Sequence, residues 1–302
     1  MKKILVSGSI AFDYIMNFSG IFKDAILKKN LGDLNVSFTG MNKKKFYGGC
    51  GPNIVYNIGL FRSLYKVEPY LFGVAGADFK EYGVRLKEHG INVDLIGIDR
   101  DGFTACAYIL TDKKENQITI FSPGAMQNTK AEKELTDDVL GGFKFAILSP
   151  DITERTYRLG KKLVSARVPW FFDPGQMTPA FKINELKFLI NNAYGFIANS
   201  YEIKLLCERV GVSKEILRKK FKIFIETLGA SGVELTVNGT NTKKIPAYKP
   251  AKIVDPTGCG DAFRGGFLAA LCSGLSVENA CKVGAKIAAR KIETEGTQNH
   301  KL

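Results

Sequence analysis

Apolar and polar positions alternate between two periods along this chain. Lys3 to Ser7 is a short apolar run closed by Gly8, the pattern of a buried strand. Gly48-Gly-Cys-Gly-Pro-Asn53 then opens a helix predicted over Ile54 to Leu64. Leu71 to Ala75 reads as a strand, and Asp78 to His89 as a helix stopped by Gly90. Phe103 to Leu110 and Gln117 to Phe121 alternate around the polar turn Asp112 to Asn116, which predicts a hairpin. From Phe145 onward the pattern repeats as strand then helix: Phe145 to Leu148, Glu154 to Ala166, Trp170 to Asp173, Leu186 to Asn191, Gly195 to Ala198, Ser200 to Arg209, Lys214 to Lys220 and Lys222 to Thr227. Glu234 to Val237 and Thr242 to Ile245 predict a late hairpin. Two closing helices follow, one from about Asp261 to Cys272 with Gly274 as its stop, the other from Val277.

Alternating strands and helices argue an α/β fold with a doubly wound, mainly parallel sheet flanked by helices, formed by residues 1–302 as a single domain. Segments 14–47 and 98–123 are β-rich and interrupt that order. The first shows alternation around Leu34 to Phe38. Both are expected to come together as a small β-rich lid.

Composition narrows the function. Hydrophobic residues make up 45% of the 302, ample for a packed core. No apolar run reaches ~18 residues, so no membrane span is expected. Met1-Lys-Lys-Ile-Leu-Val-Ser-Gly is expected to be a strand, its apolar run too short for a signal peptide. The six cysteines include no Cys-x-x-Cys pair and read as reduced thiols of a cytoplasmic protein. With His89 and His300 as the only histidines, histidine-based metal sites and Ser-His-Asp chemistry are not expected. The net charge of +13 raises nucleic-acid binding. Lys outnumbers Arg, however, and the basic pairs are scattered without interleaved aromatics, so a solvated basic surface is the expectation and no nucleic-acid partner.

The chemistry concentrates in Asp255-Pro-Thr-Gly-Cys-Gly-Asp-Ala-Phe263, which passes from turn residues into an Ala-rich helix. The amides of Gly258, Cys259, Gly260 and Asp261 would lie unpaired at a helix N-terminus, where free N–H groups and the helix dipole favour an anion. Asp261 repels a phosphate, but beside an anion hole it suits proton removal from a hydroxyl during phosphoryl transfer. It reads equally as an ordinary N-cap. Cys259 at this N-terminus is expected to be a reactive thiol. Asp13, after the first strand and a glycine turn, can accept hydrogen bonds from two neighbouring hydroxyls, or is a strand-end turn residue. Gly48, Gly49 and Asn53 offer close backbone approach and an amide, or a plain helix-starting loop. Asn199 and Glu202 share a face of a first helical turn, or form a capping box. The chain has no Gly-x-x-x-x-Gly-Lys-Ser/Thr and no third glycine after Gly258-x-Gly260, so phosphate handling rests on the late motif.

Asp255-Pro-Thr-Gly-Cys-Gly-Asp resembles the C-terminal signature of the ribokinase family of sugar and nucleoside kinases, usually Asp-Thr-x-Gly-Ala-Gly-Asp. Pro256 and Cys259 depart from it and leave the glycines and the acid intact. The resemblance implies a ribokinase-like fold, with Asp261 as catalytic base and Gly258, Cys259 and Gly260 as the anion hole. It implies that Asp13, Gly48, Gly49 and Asn53 bind the sugar ring. It places Asn199 beside the triphosphate, with Glu202 acting through water on Mg2+. Thr227-Leu-Gly229-Ala-Ser-Gly232 resembles the nucleotide-phosphate loop, with Thr257 on the same side, and Glu293 to Gln298 the wall beside the adenine of ATP. Gly8-Ser-Ile-Ala-Phe-Asp13, Phe121-Ser-Pro-Gly-Ala-Met126, Asp173-Pro-Gly-Gln176 and Glu295-Gly-Thr-Gln298 look like bacterial adenosine-kinase-type members. The expected reaction is therefore transfer from ATP to the 5′-hydroxyl of adenosine. A sugar kinase of the same family is the alternative, and a nucleotide-binding protein without turnover a further one. Phe12, Phe103 and Met126, with Cys106, are candidates for the acceptor pocket or for ordinary packing. A monovalent cation such as K+ and a monomeric or homodimeric state complete the expectations.

Overall fold

We describe residues 1–26 and 36–302 of a computed structural model of the chain. Among the described residues thirteen strands build two sheets. The strands are β1 (Lys2–Ser7), β2 (Ala11–Phe18), β3 (Gly40–Gly48), β4 (Val67–Gly76), β5 (Ile96–Asp99), β6 (Ala105–Thr111), β7 (Gln117–Ser122), β8 (Phe143–Leu148), β9 (Trp170–Phe172), β10 (Gly195–Asn199), β11 (Ile223–Thr227), β12 (Val233–Val237) and β13 (Asn241–Ile245). The helices are α1 (Phe22–Ala25), α2 (Cys50–Leu60), α3 (Arg62–Tyr65), α4 (Lys80–Glu88), α5 (Asp137–Gly141), α6 (Thr153–Ser165), α7 (Ile183–Asn192), α8 (Ser200–Val210), α9 (Lys214–Arg218), α10 (Cys259–Ser273) and α11 (Val277–Lys291).

The large sheet runs β13-β12-β11-β10-β9-β8-β1-β4-β5. Neighbours from β11 to β5 pair in parallel, and the β12–β13 hairpin adds antiparallel strands at one edge. This is the doubly wound fold the strand–helix alternation predicts. Its strands are apolar on both faces because helices cover both. Alternate residues divide accordingly. Ile4, Val6, Phe171 and Ile197 join one core with α2, α10 and α11. Leu5, Trp170, Phe172 and Phe196 join the other with α6, α7 and α8.

The second sheet runs β3-β2-β6-β7. β2 pairs antiparallel with β3 and parallel with β6, and β6 pairs antiparallel with β7. Three details differ from the sequence pattern. The alternation around Leu34 to Phe38 is not a strand where it is described: Val36 to Phe38 are irregular, and Leu34 and Asn35 lie outside the described residues. The strand is β3, whose first six residues are exposed, so no half-buried alternation marks it. The helix predicted to Leu64 breaks after Leu60, where Phe61 turns the chain into α3. Among the described residues no helix is long and apolar enough to cross a membrane.

α10 is wedged between α2 and α11. A Cβ on Gly265 would lie 2.4 Å from Cβ of Asn57 and 2.7 Å from the carbonyl oxygen of Ile54. Gly284 of α11 comes as close to Phe263, where its Cβ would be 2.7 Å from the carbonyl oxygen. Gly265→Ala should therefore push α10 off α2 and lower stability by ~1–3 kcal/mol, measurable by urea unfolding. A variant as stable as the parent would show that the two helices are free to separate.

Candidate active site

The predicted polar residues converge beyond the carboxyl ends of the parallel strands, where open α/β sheets place ligands. The chain leaves β1 through Gly8 to Ile10 into β2, which carries Asp13. Gly48 ends β3 beside it: a Cβ there would meet Asp13 Oδ2 at 2.2 Å, so only glycine lets the carboxylate lie against this backbone. Gly49 follows in the left-handed half of conformational space at φ +88° and starts α2.

Asn53, on the first turns of α2, joins three elements. Its Nδ2 donates to Asp261 Oδ2 at 2.9 Å, and its Oδ1 accepts from Gln298 Nε2 at 2.9 Å. Gln298 Nε2 also donates to Tyr82 Oη at 2.6 Å, and the Tyr82 hydroxyl donates to the Gly48 carbonyl at 2.9 Å. A neutral hydrogen-bonded chain thus ties the loop bearing Gly48 to the carboxylate of Asp261. The C-terminal tail supports it. Arg85 donates to the Gln298 carbonyl, Tyr56 to the His300 carbonyl, and buried His300 bonds Asn57 at 2.7 Å.

The loop before α10 is braced by Asp255. Its Oδ1 accepts from the Thr257 amide at 2.8 Å and its Oδ2 from the Gly296 amide at 2.9 Å. The fully buried Lys291 ammonium donates to the Asp255 carbonyl at 2.7 Å and lies 3.3 Å from its carboxylate. Gly258 (φ +77°) then turns the chain into the helix. Among the described residues the amides of Gly258, Gly260 and Asp261 have no backbone partner, but that of Cys259 donates to the Pro256 carbonyl at 3.2 Å. The anion hole read from the sequence therefore loses one of its four donors, because the turn that aims the others needs it. Cys259 is also not the reactive thiol expected. Burial and the charges of Asp255 and Asp261 outweigh Lys291 and push its pKa up to about 11.

Burial raises the carboxylates here. Asp261 is pushed up to about 6 by burial and by Glu202, against Arg264 and the Asn53 bond. Asp13 is pushed to about 6 by burial and then by Asp261 and Asp255. Asp173, at the end of β9, is raised to about 7 by burial although Arg264 opposes it. Asp261 is thus a half-buried carboxylate with an amide partner and, among the described residues, no direct ion pair, raised toward physiological pH and beside free helix amides. Such a group can accept a proton from a hydroxyl while an anion is held next to it.

Other predicted residues fall less simply. Asn199 and Glu202 form a reciprocal capping box at the start of α8, each accepting from the other's amide at 2.9 Å. The Glu202 charge still reaches Asp261 and Asp173. Thr227 ends β11, and Gly229 and Gly232 shape the turn to β12 with positive φ. Met126 packs on Ala11 and Ala105. Phe12 is 1% exposed and stacks toward Tyr82 and Tyr47. As the neighbour of Asp13 in a strand it points to the opposite face, so it cannot line a pocket with that carboxylate. Phe103 is 75% exposed in the loop before β6. The pairing register instead puts Phe46, Ala107 and Phe121 in one row with Asp13. Sequence reasoning missed Phe46 and Phe121 because strand register is not written locally. Gln298, expected in the wall beside the adenine, instead bonds Asn53 and Tyr82, and sequence reasoning missed Lys291 and the Arg264–Asp173 pair, whose partners lie far apart in the chain.

A half-buried carboxylate beside the free amides of a helix N-terminus, with a second carboxylate nearby on a doubly wound α/β fold, suits a phosphotransferase acting on a hydroxyl acceptor. The sequence pattern of the pfkB family carbohydrate kinases matches residues 1–302, and the chain belongs to that family. It is a nucleoside or sugar kinase. It is similar to the nucleoside kinase of Burkholderia thailandensis solved with inosine: 33% identical, covering 98% of this chain and 93% of that one, with a TM-score of 0.85. The nucleoside kinase of Methanocaldococcus jannaschii is 29% identical across 99% of this chain and 93% of its own length. The ribokinase of Lactococcus lactis is 28% identical across 99% and 93%.

The raised carboxylates set a pH dependence. The folded pKa of Asp13 lies above its unfolded value of 3.8, so the native state holds more protons between pH 4 and 6, and stability falls as pH rises through that interval. Asp13→Asn removes the charge and should raise stability at pH 8 by at most about 3 kcal/mol for a rise from 3.8 to about 6. The gain should vanish at pH 4, where the parent is protonated as well. Thermal unfolding at both values checks this; an equal gain at pH 4 would rule out charge as its cause.

Proposed function

We propose that this protein transfers the γ-phosphoryl of ATP to the 5′-hydroxyl of a purine nucleoside, with adenosine as the acceptor, giving AMP and ADP. The observation that carries the reading is Asp261: a base raised to about 6, hydrogen-bonded to an amide and set against the free N–H groups of a helix start. Asp13 accepts hydrogen bonds from the ribose hydroxyls, which Gly48 lets approach closely, and Asn53 orients the base. The acceptor proton passes to Asp261 as its oxygen bonds phosphorus and the bond to the β-phosphate oxygen breaks. The amides of Gly258, Gly260 and Asp261 stabilise the charge on the transferring group.

Among the described residues no cluster of three or more His, Cys, Asp or Glu side chains is placed to hold a metal. Mg2+ would be carried by phosphates and water, with Glu202, whose charge reaches Asp261 and Asp173, facing it through water. The ion would neutralise phosphate charge. Thr227, Gly229, Gly232, Thr257 and Asn199 flank the same end of the sheet and suit the nucleotide side. The row of Phe46, Ala107 and Phe121 beside Asp13 offers a nucleoside base an apolar, aromatic floor, and stacking there contributes ~1–3 kcal/mol. The second sheet would act as a lid that excludes water once acceptor is bound. The nucleoside kinase relatives support this acceptor class; the ribokinase relative keeps a free pentose as the second reading, since Asp13 and Asn53 serve either.

Release of ADP with adenosine, inosine, guanosine, ribose and fructose as acceptors tests the reading. Adenosine should exceed ribose in kcat/KM by at least ~10²-fold, about 2.7 kcal/mol; faster phosphorylation of a free sugar would overturn the nucleoside assignment. Asp13→Ala should impair every acceptor, whereas Phe121→Ala should weaken nucleosides alone. Asp261→Asn should keep ATP binding and lose roughly 10²-fold or more in kcat; a near-normal kcat would remove Asp261 from the role of base.

A further inference from the structure

Arg264 occupies an unusual place for a buried cation. It lies four residues after Gly260 on α10, and helical side chains lean toward the helix N-terminus. Its guanidinium therefore covers the first turn: Nη1 would be 2.7 Å from a Cβ on Gly260. The residue is 7% exposed. Asp173, itself 1% exposed, faces two of its three nitrogens: Nη2 donates to Oδ1 at 2.7 Å, while Nε lies 2.5 Å from Oδ2 as an ion-pair contact out of hydrogen-bond alignment. This two-point contact fixes the plane of the guanidinium. Among the described residues the third nitrogen, Nη1, makes no hydrogen bond.

The carboxylates of Asp173, Asp261 and Glu202 favour the cation here, but two other effects oppose it. The positive end of the helix dipole opposes a cation at an N-terminus. Burying an ion pair costs desolvation that a packed apolar pair avoids. The position gains its reason from an anion. The transferring phosphoryl group spreads its charge over three equatorial oxygens, and the free amides of Gly258, Gly260 and Asp261 belong to the turn that the guanidinium covers.

We propose that Arg264 is a further catalytic residue, whose Nη1 donates to an oxygen of the transferring phosphoryl group while Asp173 holds the guanidinium in that orientation. The proposal rests on the kinase reading above. Arg264 stays protonated throughout. The acceptor proton goes to Asp261, the acceptor oxygen bonds phosphorus, and the leaving β-phosphate oxygen keeps the electron pair of the broken bond. Asp173-Pro-Gly-Gln176, which the phosphate and sugar subsites do not use, thereby gains a function through its first residue.

Arg264→Met strands the Asp173 charge and can unfold the chain, so the test rests on Asp173→Asn combined with Arg264→Met, which removes both charges. Steady-state kinetics with ATP and adenosine are joined by titration of MgADP with and without aluminium fluoride, a mimic of the transferring group. The double variant should fold, bind MgADP within a few-fold of the parent, and lose ~10²–10³-fold in kcat. It should lose the extra affinity that aluminium fluoride confers on the parent. Arg264→Lys, which keeps charge but not the fork, should recover part of kcat. A double variant as fast as the parent would show that Arg264 only neutralises Asp173, and the proposal falls while the kinase reading stands. A parent without turnover on any acceptor overturns the kinase reading and this proposal with it.

Discussion

The site depends on how the first turn of α10 is held. A helix N-terminus binds an anion only if its amides stay free, and free buried amides are costly unless the backbone around them is fixed. Here the flanks of the turn are immobilised while its tip stays open. Gly265 seats α10 on α2, and Gly284 seats α11 on α10, at separations no side chain permits. Asp255, Lys291 and the Gly296 amide clamp the loop that precedes the turn. The Cys259 amide closes the turn itself. The remaining donors are thereby set before any ligand arrives, so no reorganisation is needed during reaction.

The same packing governs the charges. Each buried cation at this end of the sheet is tied to a carboxylate other than Asp261: Lys291 to Asp255 and Arg264 to Asp173. Asp261 is held by Asn53, Asn53 by Gln298, and Gln298 by Tyr82, all neutral. A direct ion pair would stabilise the carboxylate and depress its basicity. A neutral donor orients it at smaller cost to proton affinity. Burial then dominates and lifts Asp261 and Asp13 together. The unfavourable energy of these groups is the counterpart of their readiness to take a proton or a hydroxyl hydrogen bond, and the two helix-packed cores supply the stability that tolerates it.

Much of the architecture was legible because its signals are local. Strands buried on both faces are short apolar runs, their intervening helices have period 3.6, and Gly258 and Gly274 bound α10 as glycines in left-handed conformation. The errors have local causes too. β3 is largely exposed and Lys-rich, so it carries no alternation. The end of α2 has neither glycine nor proline to announce it. The anion hole was overcounted because a turn hydrogen bond within four residues consumed the Cys259 amide. Phe12 suits the pocket or ordinary packing by residue type, and the alternation of β2 sends it away from Asp13 into packing.

By itself the sequence determined the strand–helix order, the glycines that admit ligand or backbone, and the residue types able to carry the chemistry, since each follows from spacing along one element. It determined Asp261 and Asp13 as carboxylates beside glycine turns. The tertiary structure decided which of these groups meet. The Asn53–Gln298 bond spans 245 residues and the Arg264–Asp173 bond 91, and neither has a local signature. It decided which strand residues share the Asp13 row, because register depends on the pairing of four strands at once. It also decided the proton affinity of Asp261, because a carboxylate's pKa is set by the solvent it loses and the charges that surround it, and both come from packing between distant parts of the chain.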